Sequence, residues 1–326
     1  IIEEVGRIHG YTAIFPKQPE TPMEPVVKNR NTTREDETRE ILWRTFGAYE
    51  ILSYVFLNKK DLSVLGLREK ELTRTIEKRE SPYLRNSMAT GMIRAVAKNL
   101  KNTDRFRLFE IGHIFQRESE SSRLSFAVTG ENNIFLFLKK VVNTIMKAFN
   151  VPVHWFLRPD SKNSFISSDK LLHPGRSAIL KAVNKNIGIL GELHPRTAEQ
   201  FNLSQRTGYF EIDLNKLFSL PSSKLQYSSL SVCPSTFFEF TVVTEKKTEI
   251  ASIVKIIKKS VPSSLLYAWE LIDSYEGKAV PDGHISLSFK VVLNAGNRTL
   301  EPGEIKKIQD NLISDIRKKG FKLKGD

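Results

Sequence analysis

The chain has 326 residues, 40% hydrophobic and 27% charged, with 17 Gly and 14 Pro, a globular balance that excludes disordered and fibrous classes. Its 50 basic residues outnumber 37 acidic ones, a net +13 that favours polyanionic partners, nucleic acid before an anionic membrane. Cys233 is the one cysteine, so no internal disulfide or multi-thiolate metal site can form; with no apolar run near the roughly 20 residues that span a bilayer and no signal peptide, the expected setting is cytoplasmic, without a membrane partner.

In chain order, Ile1 to Tyr11 reads as the end of an amphipathic helix, with Ile1, Val5 and Ile8 on one stripe and Gly10 as the stop. The chain opens on Ile rather than Met, inside that helix, and is expected to begin within a longer protein. Pro16, Pro19, Pro22 and Pro25 then recur every third residue, which fits an extended linker and neither helix nor central strand. Thr33 to Phe46 is predicted helical, capped by Thr32 or Thr33, with Glu35, Asp36 and Glu37 in its first turn. Its expected inner stripe is Ile41, Leu42, Thr45 and Phe46, and Gly47 ends it. A strand is predicted over Glu50 to Leu57 and a helix over Met88 to Leu100. Strands follow at Arg107–Phe115 and Leu124–Gly130, then a helix at Ile134–Phe149. Further strands are expected around Ser177–Val183, Ile187–Leu190 and Tyr209–Leu214. Antiparallel strands interleaved with helices indicate an α+β domain.

Ser219 to Ser231 is serine-rich and reads as a second linker. The remainder has a clear order: strand Phe237–Val243, helix Thr248–Ser260, strands Leu266–Tyr275 and His284–Leu293, helix Pro302–Lys319, strand Phe321–Lys324. That is the β-α-β-β-α-β, ferredoxin-like arrangement. Pro302 suits the first helical position and Glu304 a reciprocal cap.

Catalytic motifs are missing from the sequence. There is no Gly-x-Gly-x-x-Gly after a strand, no phosphate-cradling loop ending in Lys-Ser/Thr, and no helix with His at i and i+4 around a Glu. The six histidines are scattered; His173 and His194 could be paired only by guesswork. Glu3 and Glu4 read either as a solvated helix face or as two oxygen ligands for a hard cation such as Mg2+.

The C-terminal strands say more. In His284–Leu293, Ile285, Leu287, Phe289 and Val291 alternate with His284, Ser286, Ser288 and Lys290, so one face packs on helices and the other is polar and open. Asp273 and Tyr275 share a face of the neighbouring strand. Such a face suits single-stranded RNA: a base lies on the ring, and a carboxylate accepts from the two donors of a guanine edge. Strand packing for Tyr275 and a turn cap for Asp273 explain the same pattern equally well. Lys306 to Lys324 holds seven basic and two acidic residues, a net +5 that suits either a phosphate-binding edge or a solvated helix terminus.

Several segments together resemble one family. Ile1 to Tyr11 is similar to its helix-ending LIEEVARIYGY, and Leu84-Arg85-Asn86-Ser87-Met88 with Gly91-Met92 and Asn99 to its LRTSLLPGLL…N. Leu108 to Gly112 with Phe115 resembles LFEIGxVF; His173 to Ala178 resembles HPGRSA, Gly191 to Pro195 GELHP, and Phe210 to Leu214 FEIDL. Asp273-Ser274-Tyr275-Glu276-Gly277, Ser286 and Arg298-Thr299-Leu300 resemble the FDxYxG…S…RTL pattern of a ferredoxin-fold anticodon-binding domain. The family is the beta subunit of bacterial phenylalanyl-tRNA synthetase, and the resemblance covers its C-terminal part.

The resemblance implies three pieces: residues 1–27, the tail of a helical DNA-binding-like module and its linker; 28–222, a class II synthetase-like antiparallel-sheet domain without catalytic residues; and 223–326, the anticodon-binding domain. It implies a subunit of phenylalanine–tRNA ligase that scaffolds the catalytic alpha subunit, in a heterotetramer of two alpha and two beta subunits, and binds the anticodon of phenylalanine tRNA. ATP would be bound by the alpha subunit. By position, Tyr275 matches the residue that stacks on the first anticodon base, Asp273 and Ser286 match residues that read it, and Lys324 stands near the family's terminal Leu-Arg, keeping the charge without the planar fork. Glu3 and Glu4 match two Mg2+ ligands at the alpha-subunit interface; two expected aspartates would precede Ile1, so the site is incomplete in this chain. Where the family has Pro-x-x-Arg-Arg-Asp, this chain has Pro234-Ser235-Thr236-Phe237-Phe238-Glu239. Loss of those cations keeps open a free-standing RNA- or tRNA-binding paralogue without a synthetase partner.

Overall fold

The computed structural model describes residues 1–22, 24–60, 62, 67, 69–75, 80–116, 119–151, 154–157, 171–222, 231–277 and 280–324. The chain forms two compact units, Ile1–Leu225 and Gln226–Asp326. The expected Ser219–Ser231 linker lies mostly outside the described residues, at 223–230.

In the first unit, α1 (Ile2–His9) ends at Gly10 as expected and buries no residue. The proline-rich stretch after it holds neither helix nor strand at its described positions. The next helix, α2 (Arg30–Phe46), starts earlier than predicted, because Asn29 rather than Thr32 or Thr33 caps it: its side chain accepts from the Asn31 N–H at 2.9 Å. The acids Glu35 to Glu37 therefore sit beyond its first turn, and the buried stripe is Thr38, Leu42 and Phe46, with Thr45 exposed. Gly47 ends the helix in the left-handed region (φ 59°) that a side chain would strain.

The predicted strand Glu50–Leu57 splits into β1 (Tyr49–Glu50) and β2 (Phe56–Leu57), and β2 pairs with β3 (Tyr83–Leu84). The interruption brings Ser53 to a buried glutamate, Glu110. After α3 (Ala89–Asn99) come β4 (Arg107–Gln116), β5 (Ser119–Thr129), α4 (Ile134–Ala148), β6 (His154–Leu157), β7 (Leu172–Ala182) and β8 (Lys185–Leu193). Then follow α5 (Pro195–Gln200), β9 (Thr207–Asp213) and α6 (Leu214–Phe218). The sheet order is β1-β4-β5-β9-β8-β7-β6, antiparallel apart from the β1–β4 pair. Alternate residues feed two cores: Phe109, Phe126, Leu180, Leu190 and Phe210 pack with α2, α4 and α6, and Leu108, Ala127, Ile179, Ile189 and Tyr209 with α3. Burial on both faces explains why β9 has no exposed residue and why alternation is weak in the sequence of this unit. The short elements β6, α5 and α6 were not predicted, being too brief for a periodic signal.

The second unit has β10 (Thr236–Glu245), α7 (Ile250–Ser260), β11 (Leu266–Tyr275), β12 (His284–Leu293), α8 (Pro302–Lys318) and β13 (Lys322–Leu323). This is the expected ferredoxin-like order, with sheet order β11-β12-β10-β13 and every pair antiparallel. One face carries Phe238, Val242, Leu287, Phe289 and Val291 against Ile253, Ile257, Leu312 and Ile316 of the two helices. The capping box expected at Pro302 is present between Glu301 and Glu304, and Arg298 grips Glu304 with two bonds of 2.7 Å.

Candidate nucleic-acid interface

Among the described residues the helices of this unit pack on one face of the four-stranded sheet, and register assigns the residues of the other face to cross-strand rows. Tyr275 of β11 faces Ser286 of β12, which faces Val243 of β10, which faces Lys322 of β13. The next row is Asp273, Ser288 and Thr241, and Lys324 joins it through a 3.0 Å backbone bond to the Thr241 carbonyl. The Ser288 and Thr241 hydroxyls lie 2.8 Å apart, so the two side chains share this face. Glu270, Lys290 and Glu239 form the third row, and Ala268, Val292 and Phe237 the fourth.

A bulge sets the first two rows. Register shifts between Leu271 and Asp273, so Ile272 is the extra residue. Glu270, Asp273 and Tyr275 can then lie on one face although Glu270 and Asp273 are three apart. Sequence alternation alone placed Asp273 with Tyr275 and missed Glu270. Tyr275 is 46% exposed, and a Cβ on Gly277 would stand 2.3 Å from its hydroxyl. A side chain at position 277 would therefore require the Tyr275 ring to move.

Asp273 and Lys324 are exposed, but Ser286 is 5% exposed. The face is therefore less open than the alternation predicted: Ser286 sits on the central strand, where Tyr275 and Val243 flank it in register. The two departures at Phe237 and Phe238 also separate. Phe238 is buried in the core, whereas Phe237 is 56% exposed with the Lys290 Nζ 3.9 Å from its ring centroid. Lys290 is the residue whose role the sequence did not single out; the register that sets it opposite Glu239 and beside Phe237 was the missing information.

In the first unit the motif residues mostly hold the structure together. Glu110 accepts from Ser53 Oγ (2.6 Å) and Arg85 Nη1 (2.9 Å), and Glu211 accepts from Tyr209 (2.6 Å) and Ser87 (2.8 Å). Arg123 pairs with Asp213 at 3.2 Å. Burial pushes the Tyr209 hydroxyl well above its ordinary range, and the Glu211 charge adds to the rise. Glu192 binds Arg206 through both carboxylate oxygens and Arg176 through one. Burial raises the Glu192 carboxyl, but Arg206 and Arg176 together outweigh it and hold it below its usual value. These groups border a cavity of about 670 Å³ that also meets Lys139, Asn132 and Asn133. His173 and His194 do come together, with ring centroids 6.4 Å apart. Each Nδ1 accepts a backbone N–H, from Gly175 and Arg196, so both rings brace local turns.

Glu3 and Glu4 are exposed on α1, and Glu4 is already paired with Arg7 at 2.5 Å. Among the described residues no group of three or more His, Cys, Asp or Glu converges. Two carboxylates, one engaged by a guanidinium, are too few donors for Mg2+, so these residues alone do not fit the ion. No described helix is long and apolar enough to cross a membrane.

Comparison with known proteins adds the following. Residues 14–214 match the family model described as phenylalanyl tRNA synthetase beta chain CLM domain, and residues 231–324 match the ferredoxin-fold anticodon binding domain. The phenylalanine–tRNA ligase beta subunit of Clostridium acetobutylicum is 26% identical over 97% of this chain and 40% of its own length. That of Solibacter usitatus is 26% identical over 99% of this chain and 41% of its own length. The chain spans about 40% of the length of the curated relatives it matches. Among solved structures, pyrrolysyl-tRNA synthetase from Desulfitobacterium hafniense is 14% identical over 58% of this chain and 68% of its own, with a TM-score of 0.48.

Proposed function

The chain belongs to the phenylalanyl-tRNA synthetase beta chain family, and from that membership we propose that it is the scaffolding and anticodon-binding portion of a phenylalanine–tRNA ligase beta subunit. One observation carries the RNA half of the reading. The sheet face without core packing places an exposed ring, Tyr275, beside an exposed carboxylate, Asp273, with lysines at the opposite edge. A base unstacked from its loop lies on Tyr275, Asp273 accepts hydrogen bonds from its edge, and Lys322 and Lys324 meet phosphates. Ser286 stands opposite Tyr275 on the neighbouring strand.

The first unit is the scaffold. Its buried carboxylates are held by arginines, hydroxyls and backbone N–H groups, which leaves them no evident chemistry toward a substrate. At one sheet edge Trp43, Tyr49, Leu52 and Tyr54 are exposed around α2 and β1. An exposed aromatic edge suits burial against another subunit, here the catalytic alpha subunit, which would hold ATP. Two alpha and two beta subunits would complete the assembly, and the cytoplasm is its proposed setting.

The test is tRNA binding by the assembled enzyme at fixed salt. Tyr275→Ala is expected to weaken it by about 1–3 kcal/mol, the worth of one base stack. Unchanged affinity would remove the anticodon assignment. Failure to assemble with an alpha subunit, with RNA binding intact, would favour the free-standing paralogue.

A further inference from the structure

We propose that Phe237, backed by Lys290, is a second stacking platform for an unpaired RNA base, at the far end of the same sheet face from Tyr275. The inference rests on the RNA-binding reading above and extends it to a second nucleotide.

Three observations lead there. First, β10 contains three phenylalanines, and two obey burial: Phe238 and Phe240 pack into the core. Phe237 points the other way, 56% exposed on the face where Tyr275 also lies. Second, Lys290 bends over the Phe237 ring at 3.9 Å, although Glu239 and Glu270 flank it in register. The cation engages the ring by its π face, and with 56% of the residue exposed, apolar surface remains for a flat partner. Third, the row beside Phe237 carries two carboxylates and one ammonium. That balance disfavours a phosphate and leaves an uncharged base face as the matching group.

Spacing decides between one nucleotide and two. Phe237 lies six residues along β10 from Val243, the partner of Ser286 in the Tyr275 row. At about 3.4 Å per residue that is roughly 20 Å along the strands, with two strand spacings of about 4.8 Å across. A single base cannot touch both rings, so each holds its own.

The experiment uses the full chain and a phenylalanine tRNA anticodon stem-loop, at several salt concentrations, with Phe237→Ala, Phe237→Leu, Phe237→Trp, Tyr275→Ala and the Phe237→Ala/Tyr275→Ala pair. Phe237→Ala is expected to weaken binding roughly 5- to 150-fold, with the salt slope unchanged because no phosphate contact is lost. Phe237→Leu keeps apolar bulk without the π face and should weaken binding similarly, whereas Phe237→Trp should retain it. The double variant should show the product of the two single losses, since the rings hold different bases. Wild-type affinity in Phe237→Ala or Phe237→Leu, while Tyr275→Ala is weakened, overturns the second platform alone. Wild-type affinity in every variant overturns the anticodon reading with it.

Discussion

Arg85→Met is the sharpest test of the claim that the first unit's motif residues are structural. Arg85 and Glu110 are 4% and 1% exposed. Arg85 donates to Glu110 (2.9 Å), to Ser53 Oγ (2.9 Å) and through Nε to the His113 carbonyl (2.8 Å). Methionine keeps much of the bulk and removes these bonds, together with a longer one of 3.5 Å to the Ser53 carbonyl. Among the described residues Glu110 then keeps as donors the Ser53 hydroxyl and N–H, at 2.6 and 3.2 Å. Removing one partner of a buried pair costs about 3–5 kcal/mol, because the other charge is left uncompensated. With a urea slope of about 3 kcal/mol per molar, as a unit of this size should have, the midpoint should fall by about 1–2 M. Two compact units need not melt together, so the transition is best followed by hydrogen exchange at β4 and β5 amides. Arg85→Met/Glu110→Leu should recover most of the loss, since an apolar pair replaces the ionic one. A single-variant loss under about 1 kcal/mol, or a double variant no better than the single, would refute the structural assignment.

Two further predictions concern helix starts. Arg298 and then the Glu301 N–H hold the Glu304 carboxyl down at about 2, so its contribution to stability is present above the unfolded value near 4.3 and fades as pH falls toward 2. Carboxyl NMR should find the Glu304 midpoint near 2 in the native chain and closer to 4.3 in Arg298→Ala; an unmoved midpoint would show that Arg298 is not the cause. Asn29→Ala should destabilise the first unit by about 1 kcal/mol in urea, with Thr32→Ala nearly silent. The reverse ranking would return the α2 cap to the position the sequence favoured.

The second unit was legible because each of its elements has one apolar side. The β11 and β12 limits match the predicted ones, since Leu271, Leu287, Phe289 and Val291 alternate with polar residues against two amphipathic helices. What alternation could not give was register. Glu270 shares a face with Asp273 only through the Ile272 bulge, and Lys290 reaches Phe237 only because β10 and β12 pair as they do. The first unit was harder. Its sheet is buried on both faces, so Phe210 and Tyr209, adjacent in sequence, feed opposite cores and no polar face marks the strand. The α2 start was misjudged because Thr32, Thr33 and Asn29 are all good caps, and only the fold decides which backbone N–H is left over.

The same reasoning changes what the overall charge means. The residues 231–326 hold 15 basic and 12 acidic side chains, so this segment supplies only +3 of the chain's +13. The face of its sheet opposite the helices mixes Glu239, Glu270 and Asp273 with Lys290, Lys322 and Lys324. A duplex backbone would meet as many like charges as opposite ones there, and counterion release would contribute little. Bases turned toward the sheet avoid that problem, because their faces are uncharged and their edges carry donors that carboxylates accept. In the proposed interface Tyr275, Phe237 and Asp273 would therefore carry the recognition that net charge seemed to promise. The remaining +10 belongs to residues 1–230, where it can meet RNA backbone or an acidic subunit surface without specifying either.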